Sequence, residues 1–366
     1  MNRRGFTLPL TLLTLALMGA LACGVMLLAG LRWQSGERSL QAFQARTLAE
    51  SEVDRLIAMW DPLQAESTTV GAVVAVPAHA AGPGLAAFDS LMRLGHGLYL
   101  VRSIGVRSTS DGAVLARDGV AGLVRLLAPS LPDSIAVESA GPVVVSAAGQ
   151  VDGDDHTPTG WTGVCSAPAP PAIGVLAGAA TPVQALCGGG SCIRGSPPIA
   201  LDSTLTMPGL TQFGVLNLAD LVAMADHRIS GTLTSIGPAV AGGTCLQVDS
   251  LNWGAPGAVA SPCGGFFPVI EAAPATRVAG GQGQGVLVAT GALELAGDVA
   301  FTGVVIAAGP VVMQDQARVT GLVVTLDSLT VTGSALIERS RCALARALLG
   351  AARPGSEVER GWFRWD

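Results

Sequence analysis

Three carboxylates crowd one short stretch, VDGDDHTPTGW (151–161): Asp152, Asp154 and Asp155. Clustered side-chain oxygens are what a hard cation such as Ca²⁺ selects. An EF-hand loop would add a glutamate near its twelfth position, and Gly163 stands there instead. The same residue types close Asx turns by accepting backbone N–H groups, so calcium ligation and a plain turn both stand as readings. His156 beside them reads as a surface histidine. The chain has only four histidines and no nucleophile elbow, phosphate loop, dinucleotide fingerprint or metalloprotease helix. No catalytic site is expected, and no cofactor other than calcium.

Sulfur chemistry is the second possibility. Six of the seven cysteines are Cys165, Cys187, Cys192, Cys245, Cys263 and Cys342, and the seventh, Cys23, lies far upstream in an apolar run. An even set downstream of a membrane-type segment points to disulfides in an oxidising compartment. Zinc would call for short paired spacings. The closest pair is Cys187-GGGS-Cys192, with no histidine near it. Reduced structural thiols are the remaining alternative.

Composition says what kind of elements must hold these groups. Only 13% of the 366 residues are charged, the formal net charge is −6, and Gly and Pro contribute 48 and 22 residues. A Gly-rich, Val/Ala/Leu-rich, charge-poor chain suits short strands joined by tight turns. No basic patch for nucleic acid occurs beyond the first few residues. LYLVRSIGVRS (98–108) alternates like a half-buried strand, and GVAGLVRLL (119–127) follows at hairpin distance. Residues 141–275 read as loops, with Pro clusters and five of the six paired-cysteine candidates.

A long helix precedes all of this. Phe6–Leu31 is a run of 26 residues without a charge. That exceeds the ~20 needed to span a bilayer and the roughly 7–15 of a secretory signal's apolar core. Arg3 and Arg4 lie before it, which keeps the N-terminus cytoplasmic. Leu40, Phe43, Leu48, Leu56, Ile57 and Trp60 then recur at three- and four-residue steps, and Pro62 ends the helix.

The opening RRGFTLPLTLL resembles the class III leader of type IV prepilins: a short basic peptide, a glycine, then a phenylalanine heading an apolar helix. The resemblance implies that a prepilin peptidase cuts between Gly5 and Phe6, that Phe6 is N-methylated, and that the helix is kept. Pro9 would then be the fourth mature residue, inside the first turn, where a missing N–H costs little. Most pilins carry a glutamate at the fifth mature position, where this chain has Leu10. PilX-type minor pilins and K-type pseudopilins commonly lack it too, which implies a subunit at or near a filament tip. QARTLAESEVDRL (44–56) is similar to the stretch where helix meets head in PilX-type proteins.

Near the C-terminus the chain repeats in sixes: GVLVAT GALELA GDVAFT GVVIAA GPVVMQ DQARVT GLVVTL DSLTVT GSALIE. The first position, from Gly285 to Gly333, is always Gly or Asp, which tolerate the positive φ of a sharp corner. The third and fifth positions, from Leu287 and Ala289 onward, are mostly apolar and share one strand face. A corner plus a short strand, repeated, predicts a β-solenoid of three 18-residue coils. Outward positions are mostly Ala, Thr, Ser and Val, with isolated Glu294, Asp298 and Arg318, so a scaffold or contact platform is expected. A similar repeat occurs near the C-terminus of PilX-type and related secreted proteins. RCALARALLGAA (341–352) reads as a short helix and the tail GWFRWD as a cap on the solenoid end.

The expected fold class is α+β, mostly β: a long N-terminal transmembrane helix of pilin type, a disulfide-tied β-rich head and a C-terminal hexad-repeat solenoid. The expected divisions are a leader (1–5), a transmembrane and stalk helix (6–61), a pilin-like β head (62–140), a Cys/Pro/Gly-rich loop region (141–275), the solenoid (276–340), and a helix with its capping tail (341–366). By resemblance the chain is a non-enzymatic minor pilin or pseudopilin. It would sit in a bacterial inner membrane with an extracytoplasmic head, and join other subunits in a surface pilus or periplasmic pseudopilus for assembly priming or surface contact. The alternatives are a membrane-anchored β-helix adhesin or polysaccharide-binding or -degrading ectodomain, and an anchored ectodomain with no filament role. Neither nucleic acid nor a small-molecule substrate is expected as a partner.

Overall fold

The computed structural model describes residues 7–165, 169–188, 191–205, 207–355 and 359–363. The protein is α+β and mostly β, and it divides into two compact units. One comprises residues 1–60, 68–125 and 354–366, and the other 61–67 and 126–353. The second unit is thus inserted, in sequence, between the last two strands of the first.

The first unit is built on helix α1 (Thr7–Ala58), 52 residues without a break, about 80 Å at 1.5 Å per residue. Strands β1 (Val73–Gly82), β2 (Leu85–Gly95), β3 (Leu98–Ser108) and β4 (Val114–Leu127) follow as an antiparallel meander. The strand and hairpin expected over 98–127 are β3 and β4. Glu359–Phe363 pairs antiparallel with β4, from Leu123 to Gly119. The tail expected to cap the solenoid is therefore, in its described part, a further strand of this meander. The open edge of β4 satisfies its backbone N–H and C=O groups.

The second half of α1 lies on that sheet. Ala49 and Val53 pack against Val101, Val120 and Val124, with Leu56, Ile57, Leu91 and Trp60 at the margin. Trp60 meets Tyr99 edge-on, ring centroids 5.0 Å apart. Small residues bring helix and sheet together: Ala45 is fully buried, and a Cβ on Gly105 would collide with its carbonyl oxygen.

The inserted unit is a stack of parallel strands. Gln282–Ala289, Ala300–Ala307 and Arg318–Thr325 lie in register, with Gly285 on Gly303 on Gly321, a step of 18 residues. Leu293–Leu295, Val311–Met313 and Leu329–Val331 stack the same way. Every third- and fifth-position side chain of the hexads is buried. The corners, however, are of three kinds. Gly285, Gly303 and Gly321 bend the long strands at φ 112°, 140° and 150°, which excludes other residues. Gly297, Asp315 and Gly333 turn at φ 61°, 59° and 67°, where aspartate is tolerated. At Gly291 and Gly309 the φ is ordinary, and crowding selects glycine: Pro274 and the Gly291–Ala292 backbone, respectively, would lie within 3.0 Å of a Cβ.

The stack extends well beyond residues 276–340, into the region expected as loops. At one end it continues through Val269–Ala272 and Thr276–Val278 to His227–Ile229 and Thr232–Leu233. At the other end the chain order jumps. The Arg318–Gly321 half of one strand carries Leu336–Arg339, and its Val323–Thr325 half carries Ile135–Ser139. From this splice the earlier sequence continues the stack through Val143–Ala147, Gln150–Asp152, Ile173–Gly178, Val183–Cys187, Ile193–Arg194 and Ile199–Asp202. These segments are short and unevenly spaced. The first layer of them, Ile135–Ser139, Val143–Ala147 and Gln150–Asp152, pairs with strands more than a hundred residues away, and the later segments pair back onto that layer or onto one another across uneven intervals, so local sequence shows no period. Helix Arg341–Gly350 covers the outer face of the long strands. Its Ala343, Leu344 and Ala347 pack with Val286, Val288, Val304, Ile306, Leu322 and Val324. That face is apolar and covered, where small exposed residues were expected.

Glu138 lies in the splice strand between Val324 and Leu176 and is 9% exposed. Burial, and then the charge of Asp202, raise its pKa. A raised carboxyl favours the protonated native state. The stability it contributes is present below the ordinary value and is lost as pH rises through the folded value. Glu138→Gln is expected to flatten that loss and to raise the melting temperature at pH 7. Melting temperatures recorded from pH 4 to pH 8 check this, and superimposable profiles for the two proteins would contradict it.

Candidate functional site: the apolar helix and the splice

From Leu10 to Leu31, α1 presents large apolar side chains outward all round: Leu12 is 61% exposed, Leu17 59% and Met26 77%. None of this stretch is covered by the rest of the protein, and it is long and apolar enough to cross a membrane. An apolar surface of this extent requires lipid or protein around it. Gly5 and Phe6 lie outside the described residues.

Where α1 meets the sheet, Glu52 falls in the helix's small apolar seam and is 3% exposed. Arg55 Nε donates to Glu52 Oε2 at 2.6 Å, and His79 Nδ1 lies 2.6 Å from Glu52 Oε1. Arg55 also approaches Asp89 at 3.6 Å. Burial raises the Asp89 pKa, against a lowering by Ser103. These groups pin the helix to β1 and β2. The apolar residues of the periodic pattern did not single out Glu52. Its spacing of seven from Ala45 and three from Ala49, which puts it on their helix face, was the available signal.

The inserted unit has its polar centre at the splice. Arg339 is 2% exposed. Its Nε donates to the Gly153 carbonyl at 2.8 Å, Nη1 to that of Asp133 at 2.8 Å, and Nη2 to that of Pro170 at 2.9 Å. Three separate chain segments meet on one guanidinium. The sequence signal was there to find, because Arg339 occupies the next first position of the hexad register, where every earlier residue is Gly or Asp.

The aspartates expected as calcium ligands serve this junction, each differently. Asp152 Oδ1 accepts the Asp154 N–H at 2.9 Å, closing an Asx turn, while Oδ2 is 3.3 Å from His156 Nε2. Asp155 Oδ1 accepts the Arg341 N–H at 2.9 Å, at the start of the C-terminal helix, and Oδ2 accepts that of Ala169 at 2.7 Å. Asp154 enters the first arrangement only through its backbone N–H. Among the described residues, no group of three His, Cys, Asp or Glu side chains is placed to hold a metal ion.

The six downstream cysteines form three disulfides, Cys165–Cys342, Cys187–Cys192 and Cys245–Cys263. Cys165–Cys342 spans 177 residues and closes over the splice. Replacing both cysteines by serine is expected to remove about 2–4 kcal/mol of stability, since long loops gain most from closure. Denaturant titration under non-oxidising conditions reads this directly, and an unchanged midpoint would contradict it.

A cleft of about 320 Å³ also opens on the stack, beside Gln282, Thr302, Arg318, Thr320 and Glu338. Its one carboxylate, Glu338, is paired with Arg318 at 3.4 Å.

A scan of protein-family models finds no match to this chain, and a search of curated proteins finds none. Among solved structures, the crystal structure of the competence-associated pilin ComZ from Thermus thermophilus is similar at 12% identity, covering 88% of this chain and 98% of that one. Its TM-score is 0.26, too low to carry an inference about fold or activity.

Proposed function

We propose that this chain is a non-enzymatic minor pilin or pseudopilin. It is held in a bacterial inner membrane by α1 and joins other subunits of a type IV pilus or secretion pseudopilus. One observation carries the reading: a single unbroken helix whose first half is apolar and uncovered, and whose second half packs on an antiparallel meander. Such a rod can pass from lipid into a filament core while its head stays outside. The leader resemblance supports the same reading and makes prepilin peptidase a partner. Leu10 in place of the usual glutamate supports a position at or near the tip. We read the 18-residue parallel stack as a β-solenoid that serves as a displayed platform.

Intact mass and N-terminal sequencing of the protein from native membranes test this. The expected chain begins at N-methylated Phe6. A chain beginning at Met1, in cells whose prepilin peptidase is active, would remove the pilin reading.

A further inference from the structure

The cleft on the stack has a floor unlike the rest of the long strands. Beyond the bending glycines, the outer side chains are apolar and lie under the C-terminal helix. Before them the register stacks Gln284, Thr302, Thr320 and Glu338, with Gln282, Ala300 and Arg318 in a second row. Gln284 is engaged: its Nε2 donates to the carbonyls of Gly264 and Phe266 at 3.0 and 2.9 Å. Thr302 and Thr320 line the cleft and are 8% and 7% exposed, so they form its floor. Residues 156–159 and 256–257 complete the lining. Trp161 Nε1 donates to the Pro256 carbonyl at 2.6 Å, and the His156 N–H to the Arg339 carbonyl at 2.9 Å, which fixes both loops. The cleft is thus built before a ligand arrives. Its volume of about 320 Å³ lies at the lower end of the roughly 300–1,000 Å³ of small-ligand sites.

The lining decides the class of ligand. Among the described residues, the Thr302 hydroxyl and the Gln282 amide have no hydrogen-bond partner. Arg318 Nη1 and Thr320 Oγ1 both donate to Glu338 Oε2, each at 3.4 Å. Glu338 Oε1 and the remaining guanidinium N–H groups are left open. The two charges of the cleft are therefore already in contact, and His156 is turned to Asp152 at 3.3 Å. A charged ligand would gain one partner and meet one like charge. An apolar ligand would cover the hydroxyl and the amide without pairing them. A peptide adding as a strand needs an unpaired edge, and Ala300–Ala307 is hydrogen-bonded on both sides. The remaining match is an uncharged molecule dense in groups that both donate and accept. Neighbouring hydroxyls do both, and so complement N–H donors set beside a carboxylate oxygen. The geometry points to a neutral saccharide, held over Thr302 with Gln282 on one flanking strand and the Arg318–Glu338 pair toward the other. This goes beyond the pilin reading and concerns the inserted unit alone, so it does not depend on the fate of α1.

The test uses the full chain in lauryldimethylamine oxide micelles, because a maltoside detergent would itself present sugar. Ligand-observed saturation-transfer NMR is recorded with cellobiose, lactose, mannobiose and N,N′-diacetylchitobiose, and with digalacturonate as the charged counterpart. Saturable binding of at least one neutral disaccharide is expected, at millimolar Kd or tighter, with digalacturonate weaker. Thr302→Val should weaken that binding roughly three- to tenfold, the scale of one neutral hydrogen bond. Gln282→Ala should do the same. Neither side chain bonds within the protein, so melting curves matching the wild type are expected, and the exposed Gln282 keeps the test open if Thr302→Val fails to fold. Three results would overturn the assignment. One is no saturable binding of any neutral disaccharide. Another is tighter binding of digalacturonate, which would mark a site that reads charge. The third is binding that neither variant changes, which would place the sugar elsewhere.

Discussion

Arg339→Met is expected to destabilise the inserted unit by about 3–5 kcal/mol, the range for breaking a buried polar network. Methionine fills much of the same volume but donates nothing. The carbonyls of Gly153, Asp133 and Pro170 would lose their shared donor at the point where three chain segments converge. Two of those segments, around residues 133 and 170, lead into strands Ile135–Ser139 and Ile173–Gly178. Loosening them frees the handover from Arg339 to Ile135 on which the stack's continuity depends. Arg339→Lys should lose nearly as much, because one ammonium cannot reach three carbonyls that a planar guanidinium spans. Trp161 and Trp253 are both fully buried in this unit, so tryptophan fluorescence during urea titration reports the change. A loss under about 1 kcal/mol for Arg339→Met would show that water or neighbouring groups replace the guanidinium.

Gly105→Ala is expected to cost at least about 3 kcal/mol in the first unit, at the upper end for overpacking. The glycine's φ is ordinary, so the penalty is purely steric. The added carbon would meet the Ala45 carbonyl oxygen of α1, which is backbone and cannot rotate away. The helix would have to lift from β3. Val53 and Ala49 would then lose their contact with Val101, and Glu52 would draw away from His79. Gly95→Ala is the matched control, since nothing lies within 4 Å of a Cβ there, and a change of about 1 kcal/mol or less is expected. Thermal melting of the two variants separates the outcomes. Equal melting temperatures would mean that the helix and sheet are not in the close contact described.

The two positions show what kind of information each fold feature requires. Sequence alone was sufficient for the apolar helix, because 26 uncharged residues have no other stable environment. It was sufficient for β3 and β4, whose alternation is local. It was also sufficient for the hexads, whose third and fifth positions are all buried. In each case the same physical rule acts on neighbouring residues, so the period is written in the chain. The six cysteines could be recognised as a disulfide set, but not paired.

Tertiary structure alone decided the rest. Asp152 and Asp155 could have held calcium or closed a turn. Their partners, the N–H groups of Asp154, Ala169 and Arg341, include one 186 residues away. No spacing rule reaches that far. The stack takes its strands out of chain order, with Ile135–Ser139 laid beside Leu336–Arg339 on a single strand. Parallel ladder bonds are indifferent to which part of the chain supplies the next strand, so residues 135–202 needed no period of their own. The described part of the C-terminal tail is drawn to β4 by an unpaired edge rather than to the stack's end. Periodic burial is a local property and can be read from the sequence. Pairing between distant segments is chosen by which edges and polar groups remain unsatisfied once the local elements have formed, and that is settled only in the folded chain.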